Sequence, residues 1–101
     1  GGIIDNPLFA ASRNGHLEIV KMLLGHPNID VNNDVTKKQR YSPLFGACQG
    51  GHTEIARVLL ERPEIDANKG SPYESPLLFA TQRGDFDIVH LLLSRPDLKT
   101  E

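Results

Sequence analysis

The chain has 101 residues and a formal net charge of −2, so its bulk charge does not favour binding to nucleic acid or to an anionic membrane. Its apolar runs are only a few residues long, whereas a membrane-spanning helix needs about 20. The sequence contains no basic segment followed by an apolar stretch, which is the pattern that predicts a signal peptide. Because Cys48 is the single cysteine, an internal disulfide framework is excluded, and we expect an intracellular location, cytoplasmic or nuclear.

The sequence contains three similar units. Residues 42–68, aligned 36 positions earlier on residues 6–32, are identical at 14 of 27 positions, where unrelated sequences would share about one or two. Aligned 33 positions later on residues 75–101, the same stretch is identical at 11 of 27 positions. Self-similarity at a period near 33 residues is typical of a stacked repeat, in which each unit is one small motif that contacts its neighbours.

Each unit begins with a predicted short helix. A polar residue that can accept hydrogen bonds from the unpaired amides of the first turn stands at its start: Asn6, Ser42 and Ser75. The proline that follows suits the first helical position, where its missing N–H costs nothing. A glycine eight residues after each proline predicts that the helix ends there in a left-handed conformation: Gly15, Gly51 and Gly84.

A second helix is predicted in each unit, over LEIVKMLL, TEIARVLL and FDIVHLLL, because apolar residues fall there on one helical face. In the first unit this face consists of Ile19, Val20, Leu23 and Leu24. A proline three residues beyond each motif ends the helix, since the residue before a proline disfavours the α conformation. One equivalent leucine of each unit is expected to be buried: Leu23, Leu59 and Leu92.

The two loops between the units differ in length and charge. Residues 33–41 follow the first unit, whereas the shorter stretch 69–74 follows the second. The longer loop is basic, with Lys37, Lys38 and Arg40. Two interpretations stay open, a solvated loop tip and a contact site for an acidic partner. Three positive charges are too few for nucleic-acid binding, which depends on many phosphate contacts.

These motifs resemble the ankyrin-repeat family. Its T-P-L-H-x-A signature appears in the first unit at residues 6–11, followed by the Gly15-His16 pair and by a D-V-N loop marker at residues 30–32. The signature threonine is Asn or Ser here, which preserves the helix cap. The signature histidine is apolar in every unit: Phe9, Phe45 and Leu78. The resemblance therefore implies apolar packing where that histidine would form hydrogen bonds.

The resemblance implies an all-α fold, an ankyrin-repeat solenoid of stacked helix-turn-helix units joined by long loops or β-turns. We assign a single ankyrin-repeat domain to residues 1–101, with units at about 3–38, 39–71 and 72–101. Terminal units of such arrays normally have a polar outer face, and neither end of this sequence shows one. We therefore expect the chain to be part of a larger protein.

No catalytic or metal-binding pattern is recognisable in the sequence. Cys48 occupies a small-residue position of a first helix and has no adjacent base, so we interpret it as a packed, inert thiol. His16 and His52 stand one full unit apart, which favours a structural role in the turn over metal ligation. We expect no enzyme activity, no metal and no cofactor.

The resemblance implies a non-catalytic protein–protein interaction module that binds another protein, and neither nucleic acid nor a membrane. Contact residues are expected at loop-tip and inner-helix positions that vary between units: Ile3, Asp5, Arg13, Asn14, Asn33, Lys38, Gln39, Tyr41, Gln49, Gly50, Lys69, Ser71, Pro72, Glu74, Gln82 and Arg83. Tyr41 is the expected anchor, since aromatic side chains often dominate interface energies. Two alternatives are a structural fragment of a longer ankyrin array that contacts its own neighbouring repeats, and an enzyme.

The resemblance also implies two candidate hydroxylation sites, Asn32 and Asn68. In ankyrin-like repeats the loop asparagine can be a substrate of an oxygen-dependent asparaginyl hydroxylase. Such an enzyme favours a leucine eight residues earlier and an acidic-aliphatic pair just ahead. Asn32 follows Leu24, Asp30 and Val31 in this pattern, whereas Asn68 has alanine in the aliphatic place. Alternatively, both asparagines only hydrogen-bond the loop backbone, which is a common turn device.

Overall fold

The computed structural model describes residues 6–32, 42–68 and 75–98, and each of these ranges contains two helices. The helices are α1 (Pro7–Asn14), α2 (Leu17–Leu24), α3 (Pro43–Gly50), α4 (Thr53–Leu60), α5 (Pro76–Arg83) and α6 (Phe86–Leu93). No strand occurs within the described ranges. The predicted all-α fold is confirmed, and the three predicted second-helix motifs coincide with α2, α4 and α6.

The ends of the first helices form as the sequence predicts. One side-chain oxygen accepts a hydrogen bond from the amide three residues later, at 2.9 Å for Asn6, 3.2 Å for Ser42 and 3.1 Å for Ser75. Each first helix ends at a glycine with positive φ, 82° at Gly15, 68° at Gly51 and 74° at Gly84. Glycine adopts this conformation without the penalty that a Cβ would bring. A tight turn therefore leads directly into each second helix.

The three units stack side by side in two layers of helices. In the layer of first helices α3 contacts both α1 and α5, and in the second layer α4 contacts both α2 and α6. Each first helix also packs on the second helix of its own unit. The core lies between the layers and between the units, and its largest fully buried apolar side chains include Leu8, Val20, Leu44, Phe45, Leu59, Ile65, Ile88 and Leu92.

The second and third units each pack on the preceding unit through one face, which we call the leading face of a unit. Ile55 and Ile88 lie on this face and are 2% and 0% exposed, whereas Ile19, their equivalent in α2, is 48% exposed. Leu23 is only half-buried, although its two equivalents are fully buried. The prediction that Leu23 is buried like them is therefore wrong, because no described residue precedes the first unit on this side.

The first and second units each pack on the following unit through the opposite face, which we call the trailing face of a unit. Leu24 and Leu60 lie on this face and are 3% and 8% exposed, whereas Leu93, their equivalent in α6, is 55% exposed. Phe45 extends the same face on α3, and its ring centroid lies 5.4 Å from that of Phe79 in the third unit. The sequence predicts one apolar face for each second helix. In the structure its apolar residues form two faces, one toward the preceding unit and one toward the following unit.

Asparagines join the loops of successive units. The Asn32 side chain donates to the carbonyl of Glu64 at 2.8 Å and accepts from the amide of Asp66 at 2.8 Å. Asn68 donates in the same way to the carbonyl of Asp97 at 3.0 Å. The structure therefore agrees with the interpretation of both asparagines as backbone-bonding residues, and it shows that the bonded backbone belongs to the next unit.

Arginines join the units at the same end. Nη2 of Arg62 donates to the carbonyl of Leu24, the last residue of α2, at 2.7 Å. Arg95 donates through Nη1 to the carbonyl of Leu60, the last residue of α4, at 3.1 Å, and through Nη2 to that of Ile65 at 2.8 Å. Because the last carbonyls of a helix have no intrahelical partner and carry partial negative charge, a cation there is stabilising. Each arginine thus caps the second helix of the preceding unit.

Candidate protein-binding surface

Six of the predicted contact residues fall in the described ranges, and they occupy the last two positions of the three first helices. This inner row consists of Arg13, Asn14, Gln49, Gly50, Gln82 and Arg83, all of them exposed. Because α3 packs between α1 and α5, the inner row extends across all three units. The remaining predicted contact residues lie outside the described residues: Ile3, Asp5, Asn33, Lys38, Gln39, Tyr41, Lys69, Ser71, Pro72 and Glu74. The basic loop residues Lys37 and Arg40 lie outside them as well.

Arg13 provides a fixed positive charge at the first unit's end of the inner row. Its guanidinium carbon lies 5.1 Å from the centroid of the Phe9 ring, a cation–π distance. Its carbonyl accepts a hydrogen bond from Nε2 of His52 at 3.0 Å. Within the described residues no carboxylate forms a salt bridge with Arg13. The guanidinium is therefore positioned by packing while its charge is left without a carboxylate partner there.

Gly50 lies where neighbouring residues of the stack leave no room for a side chain. A methyl group at this position would lie 2.9 Å from the carbonyl oxygen of Arg13 and would collide with the ring of His52. The sequence-based interpretation, in which a partner selects the residue at this position, is therefore incomplete for Gly50. The contact of His52 with the first unit also agrees with the structural turn role expected for that histidine.

The third unit replaces the turn histidine by Asp85. Nε of Arg83 donates to Oδ2 of Asp85 at 2.8 Å, and this pair holds the guanidinium over the turn of the second unit. A methyl group at Gly51 would lie 2.8 Å from Nη2 of Arg83. Arg83 therefore makes the contact between the second and third units that His52 makes between the first and second. Its side chain is still 42% exposed, so part of the guanidinium faces solvent.

Amide side chains fill the inner row between the two arginines. Asn14, Gln49 and Gln82 are exposed, and their amides form no hydrogen bond to other described residues. A primary amide has two donors and one acceptor oxygen. These three side chains can therefore bond the backbone of a partner segment without breaking any contact of the stack.

Cys48, the one candidate nucleophile of the sequence, does not reach this surface. The side chain is fully buried, and burial raises the pKa of the thiol to about 12, with a further increase from the Asp85 carboxylate and an opposing effect of Arg83. Because the thiolate is the reactive form, such a thiol is inert near neutral pH. The described ranges also contain no group of three or more His, Cys, Asp or Glu residues that could hold a metal ion.

Two equivalent clefts lie between successive units, at the loop end of the second helices. The first has a volume of about 380 Å³ and is lined by residues that include Leu24, His26 and Arg62. The second has a volume of about 580 Å³ and is lined by Leu60, Arg95 and their neighbours. The arginine of each cleft already bonds the carbonyl of a helix end. These clefts are therefore features of the repeated contact between units.

Among the described residues, no helix has the combination of length and apolar character that is needed to span a lipid bilayer. The repeated caps, turns and inter-unit contacts agree with a family comparison, in which the model for ankyrin repeats (three copies) matches residues 8–101. The chain therefore belongs to the ankyrin-repeat family, whose members are in general protein–protein interaction modules and typically non-catalytic. Comparison with curated proteins gives no match, and neither does comparison with solved structures.

Proposed function

We propose that this chain is a non-catalytic module that binds a partner protein through the inner row, together with the loop-tip residues that the sequence predicts as contacts. The observation that carries the proposal is the inner row itself, in which each of the three stacked first helices has an exposed amide side chain and Arg13 has no carboxylate partner among the described residues. A solenoid presents such positions as one extended binding surface. The backbone beneath them is held by inter-unit contacts such as the bond from His52 to Arg13.

The charges of this surface favour an acidic partner. Arg13 and the solvent-facing part of Arg83 are positive, and the sequence between the first and second units contains three more basic residues. Complementary charge accelerates encounter and aligns the two surfaces. An intracellular location is proposed along with this function. It rests on Cys48, the single cysteine, which is free, because disulfides are rare in the cytosol and nucleus.

The test compares capture of binding proteins by the unchanged chain and by two triple variants. The first variant carries Arg13→Ala, Gln49→Ala and Gln82→Ala, which remove one inner-row side chain from each unit. It should no longer capture the partner protein that the unchanged chain binds. The control, Glu18→Ala, Glu54→Ala and Asp87→Ala, also removes one exposed side chain from each unit and should retain it. Tyr41→Ala tests the loop-tip anchor in the same format. Equal capture by both triple variants contradicts the proposed surface.

A second candidate function is that of a structural segment in a longer ankyrin array. It is favoured by the exposure of Ile19 and Leu93, whose equivalents inside the stack are buried. In that case the principal contacts of the chain are with neighbouring repeats. This candidate would be supported over the first if the inner-row variant still captured every protein that the unchanged chain captures and a variant changed at Ile19 and Leu93 captured none of them.

A further inference from the structure

The two ends of the described stack expose apolar side chains of complementary type. On the leading face of the first unit, Ile19 is 48% and Met22 is 76% exposed. On the trailing face of the third unit, Leu78 is 38%, Phe86 is 79% and Leu93 is 55% exposed. Phe86 and Leu93 are seven residues apart on α6 and so share one helical side.

The interior of the molecule shows what covers each of these faces. The trailing face of the first unit packs on the leading face of the second, and the second packs on the third in the same way. At these two internal contacts the residues equivalent to Ile19 and Leu93 are at most 8% exposed. A trailing face is therefore matched in shape and polarity by a leading face, and this chain exposes one of each.

The two ends of the stack also expose a donor and an acceptor for a hydrogen bond of the kind that joins the internal interfaces. The carbonyls of Leu24 and Leu60 each accept from an arginine of the following unit, whereas no described side chain donates to the equivalent carbonyl of Leu93. In the first unit His26 occupies the position of that arginine. Nδ1 of His26 accepts from the amide of Asn28 at 3.2 Å, so in the neutral ring the hydrogen is on Nε2, which can donate.

We propose that two copies of this chain associate head to tail, with the leading face of the first unit of one copy stacked on the trailing face of the third unit of the other. Met22 and Ile19 then cover Leu93 and Leu78, and Nε2 of His26 donates to the carbonyl of Leu93. This contact uses two different surfaces and does not close on itself, so further copies add in the same direction. It leaves the inner row free.

Sedimentation velocity of the full chain over a range of concentrations tests the proposal. The unchanged chain should form dimers and longer species as its concentration rises. Met22→Glu removes the leading face and Leu93→Glu the trailing face, and each variant alone should be monomeric. Both residues are more than half exposed, so neither change should disturb folding. Arg57→Glu introduces the same side chain at an exposed position of the middle unit, away from both faces and from the inner row, and should associate like the unchanged chain.

A mixture of the two face variants gives the decisive result. Each retains the face that the other has lost, so an equimolar mixture should form a 1:1 dimer and nothing larger. A face-to-face symmetric dimer would instead persist in one of the single variants, and that result would overturn the proposal. A clean monomer of the unchanged chain at the highest concentration would overturn it as well.

His26→Arg provides a test by gain of affinity. It introduces the donor that both internal interfaces use, and a charge-assisted hydrogen bond to a carbonyl should tighten association by roughly tenfold. His26→Ala should weaken association, since it removes the donor. An unchanged or weaker association of the arginine variant would contradict the assigned position of His26 in the contact.

Discussion

Single polar side chains connect each unit to its neighbour by bonding main-chain groups. His52 bonds the carbonyl of Arg13, Asn32 bonds a carbonyl and an amide of the next loop, and Arg95 bonds two carbonyls of the preceding unit. Arg95 also bonds Asp97, and this hydrogen bond is the main reason that the pKa of Asp97 lies below its usual value. Because main-chain acceptors persist whatever the side chain, units of different sequence can still stack.

Gly50→Ala should destabilise the fold although alanine is intrinsically the better helix former by about 1 kcal/mol. The added methyl group would meet the carbonyl of Arg13 and the ring of His52, and such overpacking costs about 1–3 kcal/mol. Gly25→Ala is the matched control, because the nearest atom to its added methyl group is 3.4 Å away. Denaturant unfolding measures both variants, and an equal or smaller loss for Gly50→Ala would contradict the assigned contact.

Hydroxylation of the loop asparagines remains a proposal, and the structure adds a physical requirement to it. The Asn32 amide bonds the second loop through both its oxygen and its nitrogen, so the side chain must leave that loop before an enzyme can reach it. Local opening of loops is the common route to such exposure. Mass spectrometry of the chain expressed with an asparaginyl hydroxylase should show one added oxygen on Asn32 in preference to Asn68. Oxygen on neither residue, or on Asn68 alone, would disprove the preference.

The helices of this molecule depend on their neighbours for stability. Each described helix is eight residues long, and isolated helices shorter than about 12–15 residues are marginal in water. Each second helix carries two apolar sides, one for the preceding and one for the following unit. The same residue type is therefore buried in one unit and exposed in another, as Leu60 and Leu93 show.

Leu59→Ala and Leu93→Ala should differ sharply in their effect on stability. Leu59 is fully buried between neighbours on both sides, and its truncation should lower the free energy of unfolding by about 2–5 kcal/mol. Leu93 is 55% exposed, and its truncation should cost less than about 1 kcal/mol. Denaturant unfolding at a concentration below self-association is the measurement. Equal losses, or a loss below about 1 kcal/mol for Leu59→Ala, would mean that the faces are assigned wrongly.

In the whole molecule, the exposed amides of the inner row are separate from the side chains that join the units, whereas Gly50 and Arg83 belong to both the row and the stack. Asparagines and arginines join the units at the loop end, whereas the inner row lies at the turn end of the first helices. Substitution of the exposed inner-row amides therefore leaves the contacts between units intact. This separation allows a surface to change its partner while the repeat scaffold is kept.

Reversing the charges of the basic loop, by Lys37→Glu, Lys38→Glu and Arg40→Glu, should slow association with an acidic partner. The association rate should also become less sensitive to salt. Salt acts by screening the long-range attraction between opposite charges, and the charge reversal removes that attraction. Stopped-flow or surface-based kinetics at several salt concentrations would measure both quantities. Unchanged rates at every concentration would assign the loop to the solvated-tip interpretation.

The local features of this fold follow from the sequence, and the contacts between units do not. Asn6 and Gly15 predict the ends of α1 because capping and positive φ depend on a few adjacent residues. The role of Gly50 depends on which atoms of another unit approach it, and no local pattern encodes that. One sequence signal does indicate such a contact, since a basic residue precedes the closing proline in every unit: His26, Arg62 and Arg95.

Site-specific photo-crosslinking tests the central claim, binding of a protein partner at the inner row, most directly. A photoreactive residue at Gln49, in the middle of the inner row, should form a covalent adduct with the partner, whereas one at Glu61, which is also exposed but lies at the loop end, should not. Adducts at Gln49 that disappear when Arg13→Ala is added would agree with the proposed surface. Adducts at Glu61 with none at Gln49 would contradict it.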